Sequence, residues 1–251
     1  MVAIITLNGK RFLNKKILRT LMYGEGVFET FRFKGKLPRF IEKHYKRLIK
    51  GAEVLNIPKI TYEDYKRYIT ETVENSNLAS NDLYVKTILV SEGNTHYSLL
   101  PEKSNLLTIV KPFKPLNFEK ISLTVAPFRV HSSDPLLRIK STNFAKNILA
   151  KRYALDKGYF DSIFLNENDE ITETSSANIF WIKGKYLYTP SVECGLLNGI
   201  MRQFVIEKAR LEGFTVVEGR FHLLDLKYAD RIFLTNSLHG ILKVDSVELN
   251  L

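Results

Sequence analysis

Four short segments of the chain place reactive or polar side chains where a ligand could meet them. Lys140 follows the apolar Ile139 and precedes a predicted helix, and a lysine partly desolvated there would have a lowered pKa and could form a Schiff base. Asn198-Gly199 opens another predicted helix, whose free N–H groups could bind a phosphate. Glu173 precedes an apolar strand, where a buried carboxylate can keep a ring nitrogen protonated. Residues 235–237, Thr-Asn-Ser, end an apolar strand, where α/β folds place ligands.

Each segment also has a plainer interpretation. Lys140 could be a surface lysine beside a helix, and Asn198 could be a simple N-cap. Glu173 could be an exposed turn residue, and residues 235–237 a turn without a ligand. A Schiff-base lysine, a phosphate-binding helix start and a buried acid are nevertheless the three features that pyridoxal 5'-phosphate requires. Residues 24–26 form no dinucleotide fingerprint, because neither a third glycine nor a helix follows them.

These segments depend on helices and strands that the sequence periodicity predicts. Apolar residues recur with helical spacing up to Pro58, and Gly158 and Gly213 end two later helices. Mixed periodicities of this kind are typical of an α/β or α+β fold. The predicted helices are residues 42–56, 62–74, 142–157, 198–212 and 222–228, and the predicted strands are residues 2–8, 26–33, 83–90, 105–110, 121–126, 162–165, 171–172, 178–182, 186–188, 215–218 and 231–235.

A domain boundary is predicted near the middle of the chain. Residues 111–120 contain two prolines close together and show no periodicity, as expected of a linker. We therefore expect a small α/β domain over residues 1–110, a linker over residues 111–120 and a larger domain over residues 121–251, with the active site between the two domains.

The composition is that of a folded, enzyme-sized chain. With 251 residues, 45% of them hydrophobic and 25% charged, it can bury a sizeable core. A single cysteine, Cys194, excludes a disulfide framework, and the five histidines are too scattered to predict a metal site. Because no segment resembles a signal peptide or a membrane span, we expect a cytoplasmic protein without membrane contact.

The net charge of +10 raises the question of an anionic partner. Basic residues are spread along the whole chain, and no helix-turn-helix or RNA-binding signature accompanies them. We therefore expect a solvated basic surface, with a small anionic substrate as the next interpretation and nucleic acid as a distant third.

A series of motifs runs along nearly the whole chain: Tyr23-Gly-Glu-Gly-Val-Phe-Glu-Thr30, His44-x-x-Arg47-Leu48, Ile139-Lys-Ser-Thr-Asn143, Thr172-Glu-Thr-Ser-Ser-Ala-Asn178, Leu187-Tyr-Thr-Pro190, Asn198-Gly-Ile-Met-Arg202 and Thr235-Asn-Ser237. Together these motifs resemble the class IV aminotransferase family, the fold-type IV pyridoxal phosphate enzymes. This resemblance implies a homodimer of two-domain subunits, in which the larger domain has a β-barrel-like sheet core with flanking helices.

The resemblance also implies roles for individual residues. By it, Lys140 is the Schiff-base lysine and Glu173 is the partner of the pyridine nitrogen. Arg47 depends on the resemblance alone, since its own pattern would leave it on a solvated helix face. The implied phosphate ligands are Arg47, the backbone N–H groups of Ile200 and Met201, and the hydroxyl of Ser237.

Three activities of the family compete for this chain: 4-amino-4-deoxychorismate lyase, D-amino acid aminotransferase and branched-chain aminotransferase. Residues 198–204 look most like the lyase, whose product 4-aminobenzoate serves folate biosynthesis. The expected substrate contacts are Phe28, Arg129 and Asn236. The resemblance implies an arginine- and glycine-rich loop after the strand that ends near Val90 in the lyases, and Glu92 departs from this pattern. A carboxylate near a dianionic substrate would repel it.

Overall fold

The computed structural model describes residues 6–7, 10–11, 17–78, 80–116 and 118–248. Its helices are α1 (Leu18–Tyr23), α2 (Ile41–Val54), α3 (Tyr62–Asn75), α4 (Ala145–Asp156), α5 (Ile200–Leu211) and α6 (Leu223–Lys227). Its strands are β1 (Thr6–Leu7), β2 (Lys10–Arg11), β3 (Gly26–Lys34), β4 (Asp82–Glu92), β5 (Lys103–Pro112), β6 (Ser122–Val125), β7 (Asp161–Leu165), β8 (Ile171–Thr174), β9 (Asn178–Lys183), β10 (Tyr186–Pro190), β11 (Thr215–Gly219), β12 (Arg231–Asn236), β13 (Gly240–Val244) and β14 (Ser246–Val247).

The first half of the chain forms an antiparallel sheet in the order β3-β4-β5, with α2 and α3 packed on one face. Alternate residues of β4 are buried, because successive side chains of a strand point to opposite faces. On the helical side, Phe31 and Val85 pack against Leu48 of α2 and Ile69 of α3. These elements confirm the predicted strands and helices of this half to within a few residues at each end.

The second half contains two sheets that pack on a shared core. Their strand orders are β11-β10-β9-β12-β13 and β14-β6-β7-β8. Leu123 and Ile163 of the four-stranded sheet lie in one buried cluster with Ile179, Trp181 and Leu234 of the five-stranded sheet. Helices α4 and α5 flank these sheets, and α5 connects the parallel strands β10 and β11. The mixed α/β class is thereby confirmed, with sheets enclosing the core of this half as expected.

The structure corrects several predicted boundaries. Helix α4 begins at Ala145 and not at residue 142, because residues 140–142 form an extended segment beside β3. Helix α5 begins at Ile200, two residues later than predicted. The sequence did not predict α1, β2, β13 and β14, which are short or follow directly on a neighbouring element. Of the predicted opening strand, only Thr6–Leu7 is described, and it pairs with β2, while the rest of that strand lies outside the described residues.

The division into two domains stays a proposal. Strand β5 runs into the first two residues of the predicted linker, Lys111 and Pro112, and the described residues between it and β6, 113–116 and 118–121, are irregular. Among the residues that the structure describes, no helix has both the length and the apolar character needed to cross a membrane. The same residues contain no cluster of three or more side chains able to hold a metal ion.

Candidate active site

A cavity of about 430 Å³ opens between the two halves of the chain. One wall is the face of the β3-β4-β5 sheet opposite the helices, because the alternation that buries Val27 and Phe31 turns Phe28 and Thr30 the other way. The second half contributes the segment after Ile139, the ends of β8 and β12, and the start of α5. The predicted site residues that line this cavity are Phe28, Arg47, Lys140, Glu173, Ile200, Met201, Asn236 and Ser237.

Lys140 is held in place by an extended segment. Its carbonyl accepts a hydrogen bond from the N–H of Phe28, and the N–H of Thr142 donates to the carbonyl of Gly26, each with an N···O distance of 2.8 Å. The Nζ of Lys140 lies 4.6 Å from the centroid of the Phe28 ring. Burial, with a further contribution from the charge of Arg47, lowers the pKa of Lys140 to about 8. The amine can therefore act as a nucleophile or a proton acceptor close to neutral pH.

Arg47 is oriented by a buried carboxylate on β3. Its Nε and Nη2 donate to the two carboxylate oxygens of Glu29 at 2.7 Å each, and the Nδ1 of His44 lies 2.6 Å from the same carboxylate. Burial alone would raise the pKa of Glu29, but Arg47 and His44 outweigh it and lower the pKa to about 2. A charged Glu29 therefore fixes the guanidinium at the cavity wall, where an anion can bind it.

The start of α5 presents backbone N–H groups to the cavity. Its N-cap residue, Gly199, supplies no capping side chain, so the N–H groups of Ile200 and Met201 stay available for a ligand. A glycine is required here, because a Cβ would lie 2.1 Å from Oδ1 of Asn178. The hydroxyl of Thr235, at the end of β12, is buried and has no hydrogen-bond partner among the described residues. A helix start and an unpaired hydroxyl on one wall suit a phosphate group.

Glu173 lies at the end of β8 with its carboxylate directed into the cavity. Asn178 donates from Nδ2 to Oε2 of Glu173 at 3.1 Å and to the carbonyl of Leu197 at 2.8 Å, which ties the acid to the loop before α5. Burial raises the pKa of Glu173 to about 7, although the nearby charge of Lys146 opposes the shift. A carboxylate with this pKa can share a proton with a heterocyclic nitrogen, the role expected from the sequence.

Three further lysines, which were not predicted from the sequence, line the cavity: Lys86, Lys146 and Lys151. Burial lowers the pKa of each of them. The sequence of β4 could have indicated Lys86, because buried residues alternate along this strand and Lys86 stands between two of them, on the opposite face of the sheet. No comparable signal exists for the other two, because only the tertiary packing of α4 shows which side of that helix faces the cavity.

Two residues with predicted effects on the substrate lie outside this cavity. Arg129 is half-exposed and pairs with Asp169, with its Nε 2.6 Å from Oδ1, so the structure does not bring it to Lys140. Glu92 accepts a hydrogen bond from Nδ2 of Asn105 at 2.7 Å and is likewise absent from the described lining residues. The expected repulsion of an anionic substrate by Glu92 therefore has no support in this arrangement.

Asn236 does line the cavity, but its amide also holds the turn after β12. Its Oδ1 accepts hydrogen bonds from the N–H groups of Leu238 (3.1 Å) and His239 (2.9 Å). Arg202, for which the sequence predicted no role, is nearly fully buried and donates from Nη2 to the carbonyl of Pro190 (2.9 Å). Arg202 thereby fastens the start of α5 to β10 and supports the phosphate side of the cavity.

The mixed α/β fold, in which a buried lysine and an uncapped helix start line one cavity, has the architecture of the fold-type IV pyridoxal phosphate enzymes. Comparison with known proteins gives the same answer: residues 26–247 match the family described as amino-transferase class IV. The chain belongs to this family, and it is an enzyme.

Similar proteins include both lyases and aminotransferases. The chain is 29% identical over 235 residues to the aminodeoxychorismate lyase of Bacillus subtilis (strain 168), covering 90% of this chain and 79% of that protein. A solved Legionella pneumophila structure, provisionally named 4-amino-4-deoxychorismate lyase, has a TM-score of 0.85 at 30% identity, covering 94% of this chain and 87% of the other. The branched-chain aminotransferase of Thermoproteus uzoniensis has a TM-score of 0.84 at 26% identity, covering 96% and 85%.

The cofactor of this family is pyridoxal phosphate, and the residues of this chain fit it. The unpartnered hydroxyl of Thr235 and the uncapped start of α5 match a phosphate group. The lowered pKa of Lys140 suits attachment to an aldehyde, and the raised pKa of Glu173 suits a pyridine nitrogen. The residues that would hold it are Lys140, Glu173, Arg47, Ile200, Met201, Thr235 and Ser237.

Proposed function

We propose that this enzyme is a pyridoxal phosphate-dependent 4-amino-4-deoxychorismate lyase, which releases pyruvate to form 4-aminobenzoate for folate biosynthesis. The charge of the cavity carries the proposal. Glu173 is the one acidic side chain among the described residues that line it, whereas the basic ones are Arg47, Lys86, Lys140, Lys146 and Lys151. This excess of cations suits a cofactor phosphate together with a substrate that has two carboxylates.

Lys140 is the general base of the proposed reaction. With a pKa of about 8, a useful fraction of its amine is neutral near pH 7, and it takes the proton from the ring carbon that bears nitrogen. Bound pyridoxal phosphate supplies an electron sink for the charge left on that carbon. The C–O bond to the enolpyruvyl group then breaks, the ring becomes aromatic, and Lys140 returns its proton to the departing enolate to give pyruvate. No second substrate is consumed.

Glu173 and Arg47 support this proton transfer without touching the reacting carbon. Glu173 would hold the ring nitrogen of the cofactor in its protonated form, which favours the electron-sink chemistry that the cofactor would supply. Arg47, fixed by Glu29, would hold the phosphate group. Phe28 packs edge-on against Phe144 with ring centroids 5.4 Å apart and forms an apolar wall beside the amine of Lys140.

A class IV aminotransferase acting on D-amino or branched-chain amino acids is the second candidate, and the likeness to the Thermoproteus uzoniensis enzyme favours it. The same residues support this reaction. Lys140 would take the proton from the substrate carbon that bears the amino group, bound pyridoxal phosphate would supply the acceptor for that amino group, and a 2-oxo acid would leave. The decisive difference is whether an amino group is transferred or only pyruvate is released.

The test is to supply the purified, cofactor-loaded enzyme with 4-amino-4-deoxychorismate as its only substrate. We expect 4-aminobenzoate and pyruvate in equal amounts, with both products absent in Lys140→Met and present in the matched surface variant Lys50→Met, since Lys50 is exposed on α2. If neither product forms, while a D- or L-amino acid is converted to its 2-oxo acid, the enzyme is an aminotransferase and the lyase proposal is wrong.

We also infer a homodimer, the state that the family resemblance implies. Exposed apolar side chains support it: Leu21 and Met22 of α1 are 70% and 55% exposed, and Leu100 in the loop between β4 and β5 is 68% exposed. Arg19 is buried and donates to the carbonyl of Leu99 at 2.7 Å, which joins α1 to this loop. Sedimentation of the wild type and of Leu21→Lys should show a dimer that the substitution weakens, whereas a monomeric wild type would contradict the inference.

A further inference from the structure

Among the described residues, three lysines of the cavity form no ion pair with a carboxylate within 4.0 Å, although the charge of Asp161 acts on Lys151 and that of Glu173 on Lys146. The lysine ion pairs of the described residues lie elsewhere on the surface, and none of them includes Lys86, Lys146 or Lys151. Partly buried ammonium groups are costly to leave unpaired, because burial removes part of their hydration. Such groups are stabilised when an anionic ligand enters the cavity.

These lysines occupy different parts of the cavity. The Nζ of Lys86 lies 4.2 Å from the centroid of the Phe28 ring, the same ring that Lys140 approaches, and its charge contributes to the lowered pKa of Lys140. The Nζ of Lys146 donates to Oδ1 of Asn147 at 3.1 Å and lies near Glu173. Lys151 lies in a third part of the cavity, apart from Lys86 and Lys146.

Lys151 lies beside a pair of aromatic rings in the cavity. Its Nζ is 3.9 Å from the centroid of the Phe160 ring and donates to the carbonyl of Phe160. Phe118 packs edge-on against Phe160, with ring centroids 5.0 Å apart, and both rings line the cavity with Leu116 and His239. An ammonium has three N–H donors, so Lys151 retains donors for a ligand after its bond to Phe160. This part of the cavity thus combines apolar aromatic surface with one cation.

We propose that Lys151, Phe118 and Phe160 form a second substrate subsite, which binds a planar ring through the carboxylate opposite its reacting amino group. This subsite deepens the proposed lyase function and rests on it for the position of the reacting nitrogen at Lys140. The two carboxylates of the substrate are then separated: the one next to the amino group faces Lys86, and the one across the ring faces Lys151. A substrate without the distant carboxylate gains nothing from Lys151.

A pair of probes isolates this contact. 4-Aminobenzoate and 4-aminobenzamide have the same ring, the same amino group and nearly the same shape, but only the first has a charged carboxylate. Their dissociation constants for the cofactor-loaded enzyme are measured by calorimetry. We expect the wild type to prefer the carboxylate by about tenfold or more, as one charge-assisted hydrogen bond predicts.

Three variants decide whether Lys151 is responsible. Lys151→Met should remove the preference for 4-aminobenzoate, Lys151→Arg should largely keep it, and Lys157→Met, at the exposed end of the same helix, should leave it unchanged. With 4-amino-4-deoxychorismate, Lys151→Met should raise KM by a similar factor and change kcat little, because Lys151 is remote from the reacting amine.

The outcomes separate this subsite from the proposed reaction. A wild type without preference between the two probes, or a preference that persists in Lys151→Met, would overturn the subsite even if pyruvate is released. Conversely, a preference that depends on Lys151 in an enzyme that forms no 4-aminobenzoate would keep the subsite and refute the lyase.

Discussion

Replacing the active-site lysine should stabilise the protein while it destroys the chemistry. Lys140 is largely removed from water, and its pKa is lowered from 10.5 to about 8, so a charged amine at this position destabilises the folded state. Each pKa unit corresponds to about 1.4 kcal/mol, so the cofactor-free protein loses about 3 kcal/mol of stability at pH 7 through this group. Lys140→Met removes the charge and keeps a side chain of similar length. We therefore expect the variant to be about 3 kcal/mol more stable.

The pH dependence gives the sharper test. The folded state binds fewer protons at Lys140 than the unfolded state between pH 8 and 10.5, so the wild type gains stability as the pH rises through this range. The advantage of Lys140→Met should fall to about 2 kcal/mol at pH 9 and vanish near pH 11. Urea unfolding of both cofactor-free proteins at these pH values measures it, with Lys50→Met as the control for an exposed lysine. A variant no more stable than the wild type at pH 7, or an advantage independent of pH, would refute the reasoning.

Three further predictions concern the cofactor and substrate contacts. Glu29→Gln should weaken pyridoxal phosphate binding in a fluorescence titration and lower the free energy of unfolding at pH 7. Because the pKa of Glu29 is lowered to about 2, this difference in stability should shrink as the pH falls below 4.5. Equal cofactor affinity of variant and wild type would contradict the role of Glu29 in orienting Arg47. Thr235→Val should raise the stability of the cofactor-free protein by about 1 kcal/mol and weaken cofactor binding about tenfold, since the hydroxyl is buried without a partner; unchanged affinity would show that the phosphate lies elsewhere. Arg129→Met should change KM and kcat by less than about twofold, because Arg129 is half-exposed and pairs with Asp169; a large rise in KM would restore the substrate contact expected from the sequence.

Local patterns in the chain were sufficient for most of the fold. The alternation of β4 and the helical spacing of α2 and α3 predict these elements because each pattern depends on neighbouring residues only. The start of α4 could not be predicted in this way. Residues 140–142 hydrogen-bond to β3, more than a hundred positions earlier in the chain, and this contact holds them extended, so the helix begins at Ala145 and not at the predicted residue 142.

By itself, the sequence determined which chemistry was available: the lysine, the acid and the helix start that pyridoxal phosphate needs, and the motifs that identify the family. Only the tertiary structure decided which charges act together. Glu29 orients Arg47, Lys151 turns toward the cavity, and Arg129 is drawn away to Asp169. The physical reason is that the energy of a charge depends on its burial and on partners distant in sequence, and neither is encoded in the local pattern around it.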